Sequence, residues 1–149
     1  MGDFSMTWKV RVTVKGYQDN GSGEAVEMVS VGNCRLQGGT YYLLYDEVDE
    51  GENGESGITK NLLKIAQNGR HVELVKKGMI NTVMVFDQEQ LEASVYETPY
   101  GKFLLEINTC QMGFCIQEDR LELELGYILN LNHQPVSKNY ITIIARRIA

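Results

Sequence analysis

The feature that most constrains this chain is the period-two alternation of its apolar residues. Between Arg120 and Asn132, Leu121, Leu123, Leu125, Tyr127, Leu129 and Leu131 fall on one face, and Glu122, Glu124, Asn130 and Asn132 fall on the other. Successive side chains of an extended chain point to opposite sides, so this spacing predicts a strand with one buried face. Met6 to Lys15 repeats the pattern, with Trp8, Val10, Val12 and Val14 set against Thr7, Lys9, Arg11, Thr13 and Lys15. Ser137 to Arg147 repeats it again, with Ile141, Ile143 and Ala145 against Thr142 and Arg146. No window shows a convincing 3.6-residue period.

Turn residues punctuate these runs. Asp19-Asn20-Gly21-Ser22-Gly23 tolerates positive φ and leads into an apolar-rich segment from Glu24 to Leu36. Gly38-Gly39 predicts a tight hairpin into a third strand, about Thr40 to Glu47. A fourth strand, about Ile58 to Ile65, ends at Asn68-Gly69, the strongest short hairpin signal. Further strands are expected over His71 to Lys77, Ile80 to Phe86, Leu91 to Glu97, Lys102 to about Gln117 and Arg120 to Asn132, with His133-Gln134-Pro135 turning into the last. The short links have no long crossover of the Greek-key kind, and a meander that closes on itself removes its exposed edges. The fold class is therefore all-β, an antiparallel up-and-down barrel of about eight to ten strands. Such a barrel is either filled by side chains or holds one small ligand.

At 149 residues, residues 1–149 are expected to form a single domain, long enough to bury a core without disulfides or metals. Its 20 acidic against 14 basic side chains, net charge -6, argue against nucleic-acid binding, which needs a basic face. Six of the acids, Asp46, Glu47, Asp49, Glu50, Glu52 and Glu55, crowd one segment without a base, so the other 14 balance the 14 bases. A calcium loop begun at Asp49 would place Gly51 at the third ligand position and Lys60 where a bidentate Glu belongs. The segment therefore reads as a solvated, flexible acidic loop. The start has no basic n-region or apolar run of signal length, and no stretch approaches a membrane span. Cys34, Cys110 and Cys115 form no CxxC pair and suit a reducing compartment. The protein is expected to be cytoplasmic, without membrane association.

Catalytic templates are largely absent. His71 and His133 are the only histidines, neither at metal spacing from another ligand, so no metal or cofactor is expected. Cys110 and Cys115 face each other only if Met112-Gly113 is a hairpin; a bulge at Gly113 within one long strand is at least as good a reading. Tyr45 and Glu47 share a strand face. The simpler reading packs the tyrosines at the barrel rim with their hydroxyls wet while Glu47 begins the solvated loop. If they point inward instead, the buried carboxylate needs a cationic or hydrogen-bonding partner, for which Lys76, Arg146 or a tyrosine hydroxyl could serve. Tyr96, Thr98 and Tyr100 pose the same choice, although Thr98-Pro99-Tyr100-Gly101 is most simply a turn.

Tyr41-Tyr42-Leu43-Leu44-Tyr45-Asp46-Glu47, Val75-Lys76-Lys77-Gly78, Val83-Met84-Val85-Phe86 and above all Tyr96-Glu97-Thr98-Pro99-Tyr100-Gly101 resemble the YwiB-like bacterial proteins, over roughly Val10 to Ile144. The resemblance implies a calycin-like barrel, the fold of lipocalins and fatty-acid-binding proteins, and names no function. The chain departs from the family at Lys76, where arginine is usual, and lysine lacks the planar fork for bidentate carboxylate pairing. Together with the meander, the resemblance implies a non-enzymatic barrel binding a small apolar or amphipathic molecule. Trp8, Tyr45, Glu47, Lys76, Tyr96, Thr98, Tyr100 and Tyr127 are the pocket candidates. One alternative is a homodimer-forming barrel with a filled interior, prompted by Met79, Ile80, Val83, Met84, Val85 and Phe86, which cannot all face inward. Another is an enzyme using Glu47 and the tyrosines for acid-base work.

Overall fold

The alternating segments become ten strands in a computed structural model describing residues 6–19, 24–50 and 56–148. They are β1 (Met6–Asp19), β2 (Glu24–Gln37), β3 (Thr40–Glu50), β4 (Ser56–Ala66), β5 (Val72–Lys77), β6 (Thr82–Phe86), β7 (Glu92–Thr98), β8 (Gly101–Gln117), β9 (Arg120–Leu131) and β10 (Gln134–Arg147). All ladders are antiparallel, in the order β6-β5-β4-β3-β2-β1-β10-β9-β8-β7. The first and last strands therefore pair, and the sheet curls into a nearly closed up-and-down barrel. Its gap falls between β6 and β7, which are consecutive in sequence. There, a single bridge joins Asn81 to Glu97 by two backbone bonds of 2.9 Å. Two hydroxyls reach across beside it: Thr82 Oγ1 donates to the Val95 carbonyl at 3.0 Å, and Ser94 Oγ donates to that of Val83 at 2.6 Å. Among the described residues no helix is long and apolar enough to cross a membrane.

The predicted apolar faces point inward. Val10, Val12, Leu43, Leu63, Phe86, Leu121, Leu123, Leu125, Ile143 and Ala145 are buried in one cluster. Tyr41 of β3 and Phe114 of β8 stand on opposite walls, yet their ring centroids lie 5.7 Å apart, so side chains fill the barrel at that level. Two glycines serve backbone needs here. Gly38 and Gly39, at φ 58° and 75°, make the two-residue hairpin whose twist matches the strands it joins. At Gly32, opposite Tyr45, a Cβ would collide with the Leu44 carbonyl oxygen, so β3 lies too close for any side chain there.

Several boundaries differ from expectation. β3 continues to Glu50 instead of ending near Glu47, because Asp46 faces Lys60 and Val48 faces Ile58 across the β3–β4 ladder. Asp46, Glu47, Asp49 and Glu50 thus stand on a strand, and the remainder of the expected acidic loop, 51–55, lies outside the described residues. Cys110 and Cys115 share the single long strand β8, and its ladder shifts between Thr109 and Gln111, placing the bulge at Cys110; Gly113 pairs regularly with Glu124. The β9–β10 turn is Asn132-His133, at φ 50° and 65°, and Pro135 stands inside β10 beside a register shift, where its missing N–H is tolerated. In the β6 segment, Met84 and Phe86 face the core and Val83 faces out.

Truncating Phe86, fully buried against the Tyr127 ring at 5.0 Å, should cost about 3–5 kcal/mol in urea unfolding. Cys34 is buried and its thiol is pushed up to about 11 by desolvation, whereas Cys110 and Cys115 are exposed. A thiol reagent at pH 8 should count two reactive cysteines in the folded protein and three in denaturant.

Candidate functional site

The strand turns alternate between two barrel ends. One, the His71 end, carries the turns at 38–39, 67–71, 87–91 and 118–119; the other, the Lys76 end, carries those at 78–81, 99–100 and 132–133. Toward the Lys76 end, the inward positions of β3, β4, β5 and β6 change from apolar to polar. In ladder order, Tyr45 faces Asn61, Asn61 faces Lys76 and Lys76 faces Thr82, with Glu47 facing Thr59 one step nearer the rim. Lys76 Nζ donates to Glu47 Oε1 at 2.9 Å, and Asn61 Nδ2 donates to the same oxygen at 3.3 Å and to the Thr59 carbonyl at 3.4 Å. Lys76 is thus the cation that an inward Glu47 requires.

Burial is graded across this cluster. Asn61 and Thr59 are each 1% exposed, while the Lys76 and Glu47 side chains keep 18% and 28%, so the ion pair sits at the mouth and the amide behind it. Because both Asn61 amide hydrogens point at acceptors, its Oδ1 is a fixed, buried acceptor, and it has no hydrogen-bond partner among the described residues. Burial, and secondarily the Glu47 charge, push the Tyr45 hydroxyl well above the ordinary tyrosine value. Tyr127 is raised likewise, by burial first and by Tyr96 second. The other arc of this end is apolar: Val14, Met28, Tyr96, Leu129 and Leu131 are only half-buried against the core, each in the half of its strand nearest the Lys76 end.

Of the sequence candidates, the structure brings Tyr45, Glu47 and Lys76 together, with Tyr96 and Tyr127 also on the inner surface. Trp8 lies toward the His71 end under the Arg147 guanidinium, 5.7 Å from its ring. Thr98 and Tyr100 stay in their turn: Thr98 Oγ1 accepts from the Tyr100 N–H at 3.1 Å and donates to the Gly101 carbonyl at 3.2 Å, and Tyr100 is 85% exposed. Asn61, Thr59 and Thr82 escaped the sequence reading because a lone polar residue in an apolar strand has no local signature. Period two alone would have shown Asn61 on the face of Leu63 and Ile65. At the His71 end, a cavity of about 650 Å³ lies between the turns, and His71 Nδ1 there is 3.6 Å from Asp87 Oδ2. Asp87 is held below the usual carboxylate range, first by the Glu89 N–H and also by His71 and Gln90. Among the described residues no three His, Cys, Asp or Glu side chains cluster as a metal site.

Three comparisons with known proteins bear on this arrangement. A family model described as a domain of unknown function (DUF1934) matches residues 10–143. The crystal structure of the ywiB protein from Bacillus subtilis is similar at 17% identity over 96% of this chain and 94% of that one, with a TM-score of 0.79, which establishes a shared fold. No curated protein matches the sequence.

The buried tyrosines set an alkaline limit. A phenol whose folded value is raised stabilises the fold fully below its unfolded value, near 10, and that contribution is lost as pH rises toward the folded value. Between pH 10 and 11, stability should therefore fall by up to about 1.4 kcal/mol for each of Tyr45 and Tyr127. Urea midpoints across this range should fall less steeply in Tyr45→Phe; an unchanged slope would remove Tyr45 as the cause.

Proposed function

The chain belongs to the DUF1934 family of domains of unknown function, and within that family we propose that it is a non-enzymatic binding barrel taking a small amphipathic molecule at the Lys76 end. The observation that carries this reading is the divided inner surface: Glu47, Lys76, Asn61 and Thr82 on one arc, half-buried Val14, Met28, Tyr96, Leu129 and Leu131 on the other. Ligand sites combine an apolar lining with a few convergent polar groups, and this end offers both. The Lys76 ammonium would receive an acceptor on the ligand head and Asn61 Oδ1 a donor, while the apolar tail lies over the opposite arc. A barrel needing only a core would do as well with apolar residues replacing Glu47, Lys76 and Asn61 together, since a buried ion pair often contributes no more than well-packed hydrophobes. Engagement of the Glu47 carboxylate by Lys76 and Asn61 supports binding over acid-base chemistry. Three free cysteines, two of them exposed, support a cytoplasmic setting.

A second reading, self-association, is supported by Val29, Val31, Leu44, Val48 and Ile58, all more than 45% exposed on the outer face of β2, β3 and β4. A second copy covering that face would make the protein a dimer by light scattering, and Val48→Lys should return it to a monomer.

Native mass spectrometry after incubation with a mixed amphiphile library should show one bound small molecule in the wild type. Lys76→Met should weaken its retention by about tenfold or more, as loss of a charge-assisted bond implies, while costing about 1–3 kcal/mol of stability. A folded wild type that retains nothing from the library would overturn the binding reading.

A further inference from the structure

We propose that the cavity at the His71 end is a second, separate binding site, for a small zwitterion with an apolar body, the chemical class of a free amino acid. The cavity of about 650 Å³ has two lips and a floor. One lip is the β4–β5 turn with Arg70 and His71; the other is the β6–β7 turn with Asp87, Gln88 and Glu89; Ala66, Met112 and Phe114 form the floor.

Each lip is braced by bonds that do not consume its outermost charges. Asn68 Oδ1 accepts the Arg70 N–H at 2.9 Å, and Asp87 Oδ1 accepts the Glu89 N–H at 2.9 Å. The Gln88 amide donates to the Cys110 carbonyl at 3.0 Å, tying the second lip to the β8 bulge. The Asp87–His71 contact spans the two lips. Beneath them the Phe114 ring is held edge-on against Tyr41, and Gly69 packs directly on it, since a Cβ there would come within 2.8 Å of Phe114 Cβ. The floor is thus fixed, apolar and aromatic. What remains uncommitted is the Arg70 guanidinium on one lip and the Glu89 carboxylate on the other. Both are exposed, and neither has an ion pair among the described residues.

Charge selects the occupant. The uncommitted charges of the lining are Arg70 and Glu89, so a simple anion meets the Glu89 carboxylate and a simple cation meets the Arg70 guanidinium. A molecule carrying both charges can direct its carboxylate to the Arg70 fork and its ammonium to Glu89. Its apolar body then lies on Phe114 and Met112, which suit aromatic or branched aliphatic groups. This site does not depend on the Lys76-end reading, because the Tyr41–Phe114 contact fills the barrel between the two.

The test is an amide-resolved NMR titration of the isotopically labelled full chain with L-phenylalanine, its amide and its N-acetyl derivative, which present both charges, the cation alone and the anion alone. Saturable shifts are expected at Gly69, Arg70, Gln88 and Glu89 and not at Lys76 or Asn61. Each single-charge analogue should bind about tenfold or more weakly, the loss expected for one charge-assisted contact. Arg70→Gln should erase the preference over the amide, and Glu89→Gln the preference over the N-acetyl form; both residues are exposed, so a native-like spectrum checks the fold. Absence of saturable shifts at the lips, equal affinity for the three compounds, or preferences unmoved by the two substitutions would each overturn the proposal.

Discussion

A ring of ten strands encloses more space than eight, and an interior wider than a side chain can reach must collapse, hold water or hold a ligand. The contact between Tyr41 and Phe114 meets that constraint here. By meeting at 5.7 Å from opposite walls, the two rings draw the barrel into a packed cross-section around which Leu43, Leu63, Leu123 and Ile143 close. The single-bridge seam between β6 and β7 is compatible with this. A barrel held by its core does not need every ladder complete, and the Thr82 and Ser94 hydroxyls satisfy carbonyls that a missing strand partner would otherwise leave unpaired.

Filling the middle pushes chemistry to the ends. Apolar side chains occupy the central level, so the polar inward residues are displaced along their strands toward the Lys76 end, where Glu47 and Lys76 keep partial contact with solvent. That partial exposure lets an ion pair stand inside a barrel at acceptable desolvation cost. At the other end the turns rise above the packed aromatics and leave a cavity whose floor is the outer surface of the same plug. The polar cluster and the cavity share one structural cause, yet their chemistries differ, because one is built from strand interiors and the other from turns.

Much of this was legible in the residues. Period two placed Leu121, Leu123 and Leu125 on the core face and Gly38-Gly39 marked a tight hairpin, whereas the Tyr45–Glu47 face left an inward carboxylate only as the alternative to a solvated rim, with Lys76 among three candidate partners. β3 runs past its expected end at Glu47 because cross-strand pairing such as that of Asp46 with Lys60 lets a strand carry Asp49 and Glu50 as well, where charge density alone suggests a loop. The Cys110 bulge was not legible: a one-residue slip reverses every facing beyond it, and that slip is set by the β9 ladder rather than by local sequence. The inward facing of Asn61 follows from period two, but its place between Tyr45 and Lys76 depends on the ladders of its neighbouring strands.

The alternation of apolar residues and the spacing of turns determined by themselves that this chain is an antiparallel meander with one buried face. Both are local properties, imposed by the two-sided geometry of an extended strand. Which end is polar, which walls touch and where the ring stays open were decided only by tertiary structure. Lys76 meets Glu47 across 29 residues of chain, Tyr41 meets Phe114 across the whole barrel, and β1 closes on β10 from opposite ends of the sequence. Such contacts depend on shear and register summed over many strands, a quantity no single segment encodes.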